Sequence, residues 1–405
     1  MKSNKLKWLS LLFVTVFSTM GAMAQVGSLD QTGNQTVCIG STEDYGVVDS
    51  VGSTYAWSIA GGSGGGTIIG NSNLIQVTWT TEGACTLQVI ERNSLGCFSE
   101  PVPISISVNA LPTATIQGTL AVCQNEIAPE ITFTSAGGIA PYTFTYTLNG
   151  ESPLTVVTTS GNTVTLYAPT TVAGTFIYTL TGVQDASGSS CSQAQTGIAT
   201  ITVNPLPTAT IAGTLEVCQN GTIPDITFTG AGGTAPYTFT YILNGGSPLT
   251  VMTTSGNSVT VSVPITAAGT FIYALTSVQD ASLSSCSQAQ SGSATIIVNP
   301  LPTATIAGTL EVCQNGTIPD ITFTGTGGTS PYTFTYTLNG GATQTVLTTS
   351  GNSVNVSAPT LSVGTFIYAL TSLQDASGTS CSQVQTGTAT ITINLLPTTS
   401  VIYHN

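Results

Sequence analysis

The sequence predicts an all-β protein built as a string of two-sheet sandwiches, and three observations predict it. One stretch, "GGIAPYTFTYTLNG" from Gly137 to Gly150, returns as "GGTAPYTFTYILNG" from Gly232 and as "GGTSPYTFTYTLNG" from Gly327, each copy 95 positions after the last. Inside it Tyr142, Phe144, Tyr146 and Leu148 alternate with Thr143, Thr145 and Thr147, the two-residue period of a strand with one buried face. The composition agrees: 41% hydrophobic and only 5% charged is too apolar and too weakly charged for disorder. Thr and Val, both abundant, suit a pleated, half-exposed surface.

Taken from its beginning, the chain opens with Lys2, Lys5 and Lys7, an apolar run from Trp8 to Phe17, and "AMA" before Gln25. This pattern reads as a secretory signal peptide over residues 1–24. Its apolar run is too short to cross a bilayer, and no membrane span is expected later in the chain. Beyond the signal peptide Arg92 is the sole Lys or Arg, against 17 acidic residues, for a formal charge of −16. Such a chain cannot neutralise a row of phosphates, which excludes nucleic acid as a partner. Anionic membrane surfaces are not expected partners, for the same reason.

Pro112, Pro207, Pro302 and Pro397 mark one recurring linker, "NALPT", "NPLPT", "NPLPT" and "NLLPT". They divide the mature chain into a first domain at 25–109 and three repeats at 110–204, 205–299 and 300–394. Residues 395–405 open a further repeat, so an intact gene is expected to continue beyond Asn405. Turn residues split the first repeat into seven predicted strands: Thr113–Ile116, Ile131–Thr134, Tyr142–Leu148, Leu154–Thr158, Thr163–Tyr167, Thr175–Thr181 and Ala199–Val203. Seven short strands in about 95 residues fit an immunoglobulin-like sandwich better than a barrel or a propeller. Phe176, Tyr178 and Leu180 share one face of "GTFIYTL", as do Phe271, Tyr273 and Leu275, and Phe366, Tyr368 and Leu370. These strands and the Tyr142-type strands are the expected halves of each core.

The first domain carries both tryptophans of the mature chain. Trp57 is in step with Tyr55 and Ile59, and Trp79 with Ile75 and Val77, so both read as core residues rather than as a sugar-stacking platform. "STYAWSIAGG" followed by "IQVTWTTEGACTLQVIERNSLGC" resembles the PKD-like, immunoglobulin-fold domains of large secreted Bacteroidetes proteins. The repeats, with "PYTFTY", then "GTFIY" and "QDAS" before a cysteine, resemble those of gliding-motility surface adhesins from the same bacteria. The resemblance covers nearly all of the mature chain. It implies an extracellular, cell-surface protein that serves adhesion or spaces other modules outward.

Nine cysteines occur: Cys38, Cys85, Cys97, Cys123, Cys191, Cys218, Cys286, Cys313 and Cys381. Each repeat holds one pair 68 positions apart, which in a secreted chain predicts one disulfide per domain: Cys123–Cys191, Cys218–Cys286 and Cys313–Cys381. By position "VCIG" and "GCFSE" match "VCQN" and "SCSQ", which pairs Cys38 with Cys97. Cys85 is left unpaired, and its phase with Leu87 and Val89 predicts that it is buried. Zinc is not expected, since there are no close cysteine pairs and no histidine besides His404.

Nucleophilic catalysis needs a base for the nucleophile, usually His or Lys, and the mature chain offers only His404. The acidic residues are few and scattered; Asp225 is typical. Asp185, Asp280 and Asp375 recur in "QDAS" just after a strand, where Asp most often makes a turn. Calcium wants six to eight oxygen ligands and the proline linkers offer none, so calcium is not an expected partner. "Asp49-Ser50-Val51" resembles the short acceptor pattern for O-linked glycosylation in these bacteria, but three residues are a weak pattern and an ordinary loop is the preferred reading. The resulting expectation is a non-enzymatic, cofactor-free structural and adhesive stalk, secreted and associated with the cell surface, with an unidentified polysaccharide or protein ligand. The rival readings are the ancillary, non-catalytic region of a secreted hydrolase and a carbohydrate-binding module.

Overall fold

Wherever threonine alternates with aromatic or branched apolar residues the backbone is extended, because alternate side chains then reach one shared core. In the computed structural model, which describes residues 35–404, every regular element among the described residues is a strand. The signal peptide, the first ten residues of the expected first domain and Asn405 lie outside the described residues.

The first sandwich contains β1 (Gln35–Cys38), β2 (Thr42–Gly46), β3 (Thr54–Ala60), β4 (Gly65–Ile69), β5 (Leu74–Thr81), β6 (Gly83–Arg92) and β7 (Val102–Asn109). One sheet has the order β1-β7-β6-β3 and the other β2-β5-β4. Trp79 is fully buried between them, with Val77 and Leu87 beside it. Its indole N–H donates to the Tyr45 hydroxyl at 3.2 Å, as a buried indole requires. Trp57 is only half-buried: it packs on the rim of this core and donates to the Ser72 carbonyl at 2.9 Å.

The second sandwich runs through β8 (Thr113–Gln117), β9 (Leu120–Cys123), β10 (Glu130–Ala136), β11 (Thr143–Leu148), β12 (Leu154–Val157), β13 (Thr163–Tyr167), β14 (Gly174–Gln184) and β15 (Ser192–Asn204). Its sheets are β13-β10-β8 and β12-β11-β14-β15-β9. The phase expected for β11 holds, with Phe144 and Tyr146 buried and Leu148 packed against the core. Phe133 on β10 reaches across to Phe144 and Tyr146, with ring centroids 5.5 and 5.2 Å apart. A bulge in β14 between Leu180 and Gly182 shifts the alternation by one residue, which brings Val183 as well as Leu180 onto the core face.

Eight strands are present where seven were expected. The additional one, β9, is too short and too close to β8 to stand out as a separate period, and it pairs in parallel with the end of β15. The third and fourth sandwiches repeat the plan around Phe228 with Phe239 and around Phe323 with Phe334. Each has a three-stranded sheet facing a larger one. The four hydrophobic clusters draw on residues 37–108, 114–203, 209–298 and 304–393 respectively.

Candidate functional site at the junctions between sandwiches

The short parallel strand decides where the chemistry of this chain lies. Parallel pairing sets Cys38 opposite Asn109, Cys123 opposite Asn204, Cys218 opposite Asn299 and Cys313 opposite Asn394. Each of these asparagines is the last residue before a proline linker, so each of these cysteines stands at the trailing end of its sandwich. The register is closed by one more bond, such as Gln124 N–H donating to the Asn204 carbonyl at 2.8 Å.

The second cysteine of each repeat lies at the opposite, leading end. Cys191 closes a loop that opens with Asp185, and Asp185 N–H donates to the Cys191 carbonyl at 2.9 Å. The Asp185 carboxylate is buried and accepts from the Ser187 hydroxyl at 2.7 Å, from Ser187 N–H at 3.2 Å and from Ile139 N–H at 3.0 Å. The same bonds recur around Asp280 and Asp375. The turn role expected for these aspartates is therefore extended: each also ties the cysteine loop to the "GG" loop of its own sandwich. Buried carboxylates carry such a load only when their oxygens are hydrogen-bonded, and here both oxygens of each have a partner.

These placements correct the disulfide assignment. Cys123 sits beside Asn204 and Cys191 just before Ser192, at the two ends of β15. Thirteen strand residues separate them by roughly 35–40 Å, far beyond the reach of about 7 Å between Cα atoms that a disulfide allows. The bonds formed are Cys38–Cys191, Cys123–Cys286 and Cys218–Cys381, with Cα separations of 5.6, 5.5 and 5.5 Å. Each joins the trailing end of one sandwich to the leading end of the next. None of the expected pairs, Cys38–Cys97, Cys123–Cys191, Cys218–Cys286 or Cys313–Cys381, is made. Cys97 and Cys313 are free and exposed, and Cys85 is free and buried; burial pushes the Cys85 thiol pKa up.

Polar contacts surround each bond. Asn204 Nδ2 donates to the Ser284 hydroxyl at 2.7 Å, and Asn109 reaches Ser189 at 3.5 Å. At the last junction Asn299 Nδ2 serves both Thr379 Oγ1 at 3.1 Å and Glu216 Oε1 at 2.6 Å. Residue pattern alone does not single out these asparagines and hydroxyls. Their signal is an Asn before every linker and a Ser or Thr two residues before every leading-end cysteine.

Elsewhere the chemistry is sparse. No group of three or more His, Cys, Asp or Glu side chains could hold a metal among the described residues. A recess of about 270 Å³ beside Cys85, lined by Gly62, Thr86, Ser105 and Ile106 among others, contributes no carboxylate, imidazole or amine. No helix among the described residues is long and apolar enough to cross a membrane.

No protein-family model and no curated protein matches the chain. Among solved structures it is similar to a calcium-stabilized adhesin that helps an Antarctic bacterium reach out and bind ice. That likeness has 16% identity and a TM-score of 0.36 and covers 89% of this chain and 96% of the other. It is also similar to a tetra-tandem repeat from the extending region of a large adhesion protein, with 16% identity, a TM-score of 0.31 and coverage of 90% and 100%. An I-band fragment of titin gives 12% identity, a TM-score of 0.43 and coverage of 71% and 99%. At these scores the likenesses add nothing to what the sheets themselves show.

Proposed function

We propose that this protein is a non-catalytic, extracellular stalk that holds adhesive surfaces away from the cell that bears it. The observation that carries the reading is the series of disulfides between successive sandwiches. A bond placed at each junction, beside a proline linker that already restricts the backbone, stiffens the string against bending. Disulfides of this kind persist in oxidising, extracellular surroundings. The outward faces of the larger sheets carry rows of threonine, for example Thr145 and Thr147 on β11 with Thr179 on β14. Such neutral hydroxyl-bearing faces suit weak contacts with polysaccharide or protein, and copy number multiplies weak contacts through effective concentration.

A sandwich with strands of eight to ten residues is roughly 30 Å long, so four in series reach on the order of 130 Å. Small-angle scattering of the mature chain is expected to show a rod of about that maximum dimension, unchanged by calcium chelation. A compact particle, a dimension that collapses on chelation, or hydrolysis of a polymer by the purified chain would overturn the reading.

A further inference from the structure

The bonded cysteines follow one another as Cys38, Cys123, Cys191, Cys218, Cys286 and Cys381, and the bonds join the first to the third, the second to the fifth and the fourth to the sixth. The three covalent loops therefore interleave. Every peptide bond between Cys38 and Cys381 lies within at least one of them. Each proline linker is bridged as well: the one after Asn109 by Cys38–Cys191, the one after Asn204 by Cys123–Cys286 and the one after Asn299 by Cys218–Cys381.

A single backbone cut anywhere in that span leaves its two pieces joined. Two cuts also leave one molecule, provided that a bonded cysteine lies between them. Cuts after Arg92 and Ala212, for example, isolate a middle piece that holds Cys123 and Cys191; the first binds it to the later piece through Cys286, and the second to the earlier piece through Cys38. Two cuts with no bonded cysteine between them release at most the strip that separates them. Pairs 68 positions apart inside each repeat could not do this, since one cut in a linker would part the chain.

Residue content points the same way. Beyond Lys7 the sole Lys or Arg is Arg92, so a protease that cuts after basic residues has one target there, and it lies inside the first covalent loop. Nicks by other proteases concentrate at exposed turns and loop tips. Leu95, Leu283 and Leu361 stand at such tips, 88%, 97% and 75% exposed, and each is spanned by at least one disulfide. The strands on either side of a nick there stay paired in their sheets around a shared core.

We infer that the junction disulfides make this chain a protease-hardened tether, which stays one covalent molecule after any two cuts between Cys38 and Cys381 that have a bonded cysteine between them. This goes beyond the stalk reading and stands on the order of the bonded cysteines alone. Each cut is a hydrolysis in which one water is consumed and one peptide bond becomes a carboxylate and an amine. No disulfide is reduced or exchanged in that step. The nicked chain is therefore heavier by one water per cut, and only reduction separates its pieces.

The test uses the purified mature chain with its disulfides intact and its free thiols alkylated, so that no thiol exchange can follow. Ala212→Lys, at the exposed end of a strand just before Gly213, gives trypsin a second site besides Arg92. Complete digestion in urea should leave, without reductant, a single species heavier by two waters. Reduction should split the same sample into three fragments, which verifies both cuts. Ala307→Lys, the equivalent exposed position one repeat later, should behave in the same way and guards against a fault peculiar to one variant. Adding Cys123→Ser and Cys286→Ser to the Ala212→Lys chain should free the piece that begins at Gly213. Release of any piece from either Lys variant before reduction, or a single unreduced species from the chain that lacks Cys123 and Cys286, would overturn the inference.

Discussion

Gly138 and Asp185 lie so close that a Cβ on the glycine would sit 2.7 Å from the carboxylate Oδ2, and Gly233 with Asp280 and Gly328 with Asp375 repeat the relationship at 2.6 Å. The glycines also have positive φ, 69°, 55° and 64°, a region that side chains other than Gly rarely adopt. Two independent constraints thus require glycine at the point where the cysteine loop is anchored. Gly233→Ala is expected to destabilise the third sandwich by about 2 kcal/mol through backbone strain and the contact with Asp280. Denaturant titration monitored by tyrosine fluorescence would measure it; a change within about 0.5 kcal/mol, typical of neutral surface sites, would contradict the anchoring role.

Removing the aromatic centre of one core should be felt more strongly. Phe239 is fully buried against Phe228 at 5.7 Å between centroids. Phe239→Ala is expected to cost about 3–5 kcal/mol. Because its cluster is confined to the third sandwich, one unfolding transition in calorimetry should shift while the rest keep their positions.

Alkaline pH should unfold the chain by a defined route. Burial raises the pKa of Tyr45, Tyr146, Tyr178, Tyr273, Tyr332, Tyr336 and Tyr368 above the ordinary tyrosine value. The folded state holds these protons more tightly than the unfolded state does. Their contribution to stability is therefore complete below about pH 10, the unfolded tyrosine pKa, and is lost as pH rises through the raised folded values. Stability measured against pH should be flat through neutrality with respect to tyrosine and fall above that point, together with the phenolate absorbance. Tyrosinate appearing before any loss of structure would argue against the burial.

The serial disulfides predict an unusual response to force. With them intact, the shortest covalent path from Gln35 to His404 jumps from Cys38 to Cys191 and from Cys218 to Cys381. About 50 residues of free chain remain, a contour of roughly 190 Å, against about 1,300 Å for the same span after reduction. Single-molecule stretching should meet a hard stop near the shorter length until a reductant is added. Separate full-length extension of each sandwich under oxidising conditions would show that the bonds do not cross the junctions.

Much of the fold is legible in the residue pattern, because a β-strand with one buried face announces itself at a period of two. The 95-residue repeat, the phase of Phe144 and Tyr146 and the burial of Trp79 all rest on that local rule. Trp57 reads the same way yet stops at the rim of the core, since phase gives the face of a strand and not how far the opposing sheet extends over it. The disulfides lie beyond such reading for a stronger reason. In a chain that repeats every 95 residues, a cysteine pair 68 apart and a pair one full period further apart have the same regularity, and the separation of 163 observed for Cys123–Cys286 and Cys218–Cys381 is the second of these. Only the parallel pairing of β9 with β15, a contact between residues about 80 positions apart, carries Cys123 to the trailing end and puts Cys191 out of its reach. Periodicity in the sequence determined the modules; the pairing of distant strands decided how each module is bonded to the next.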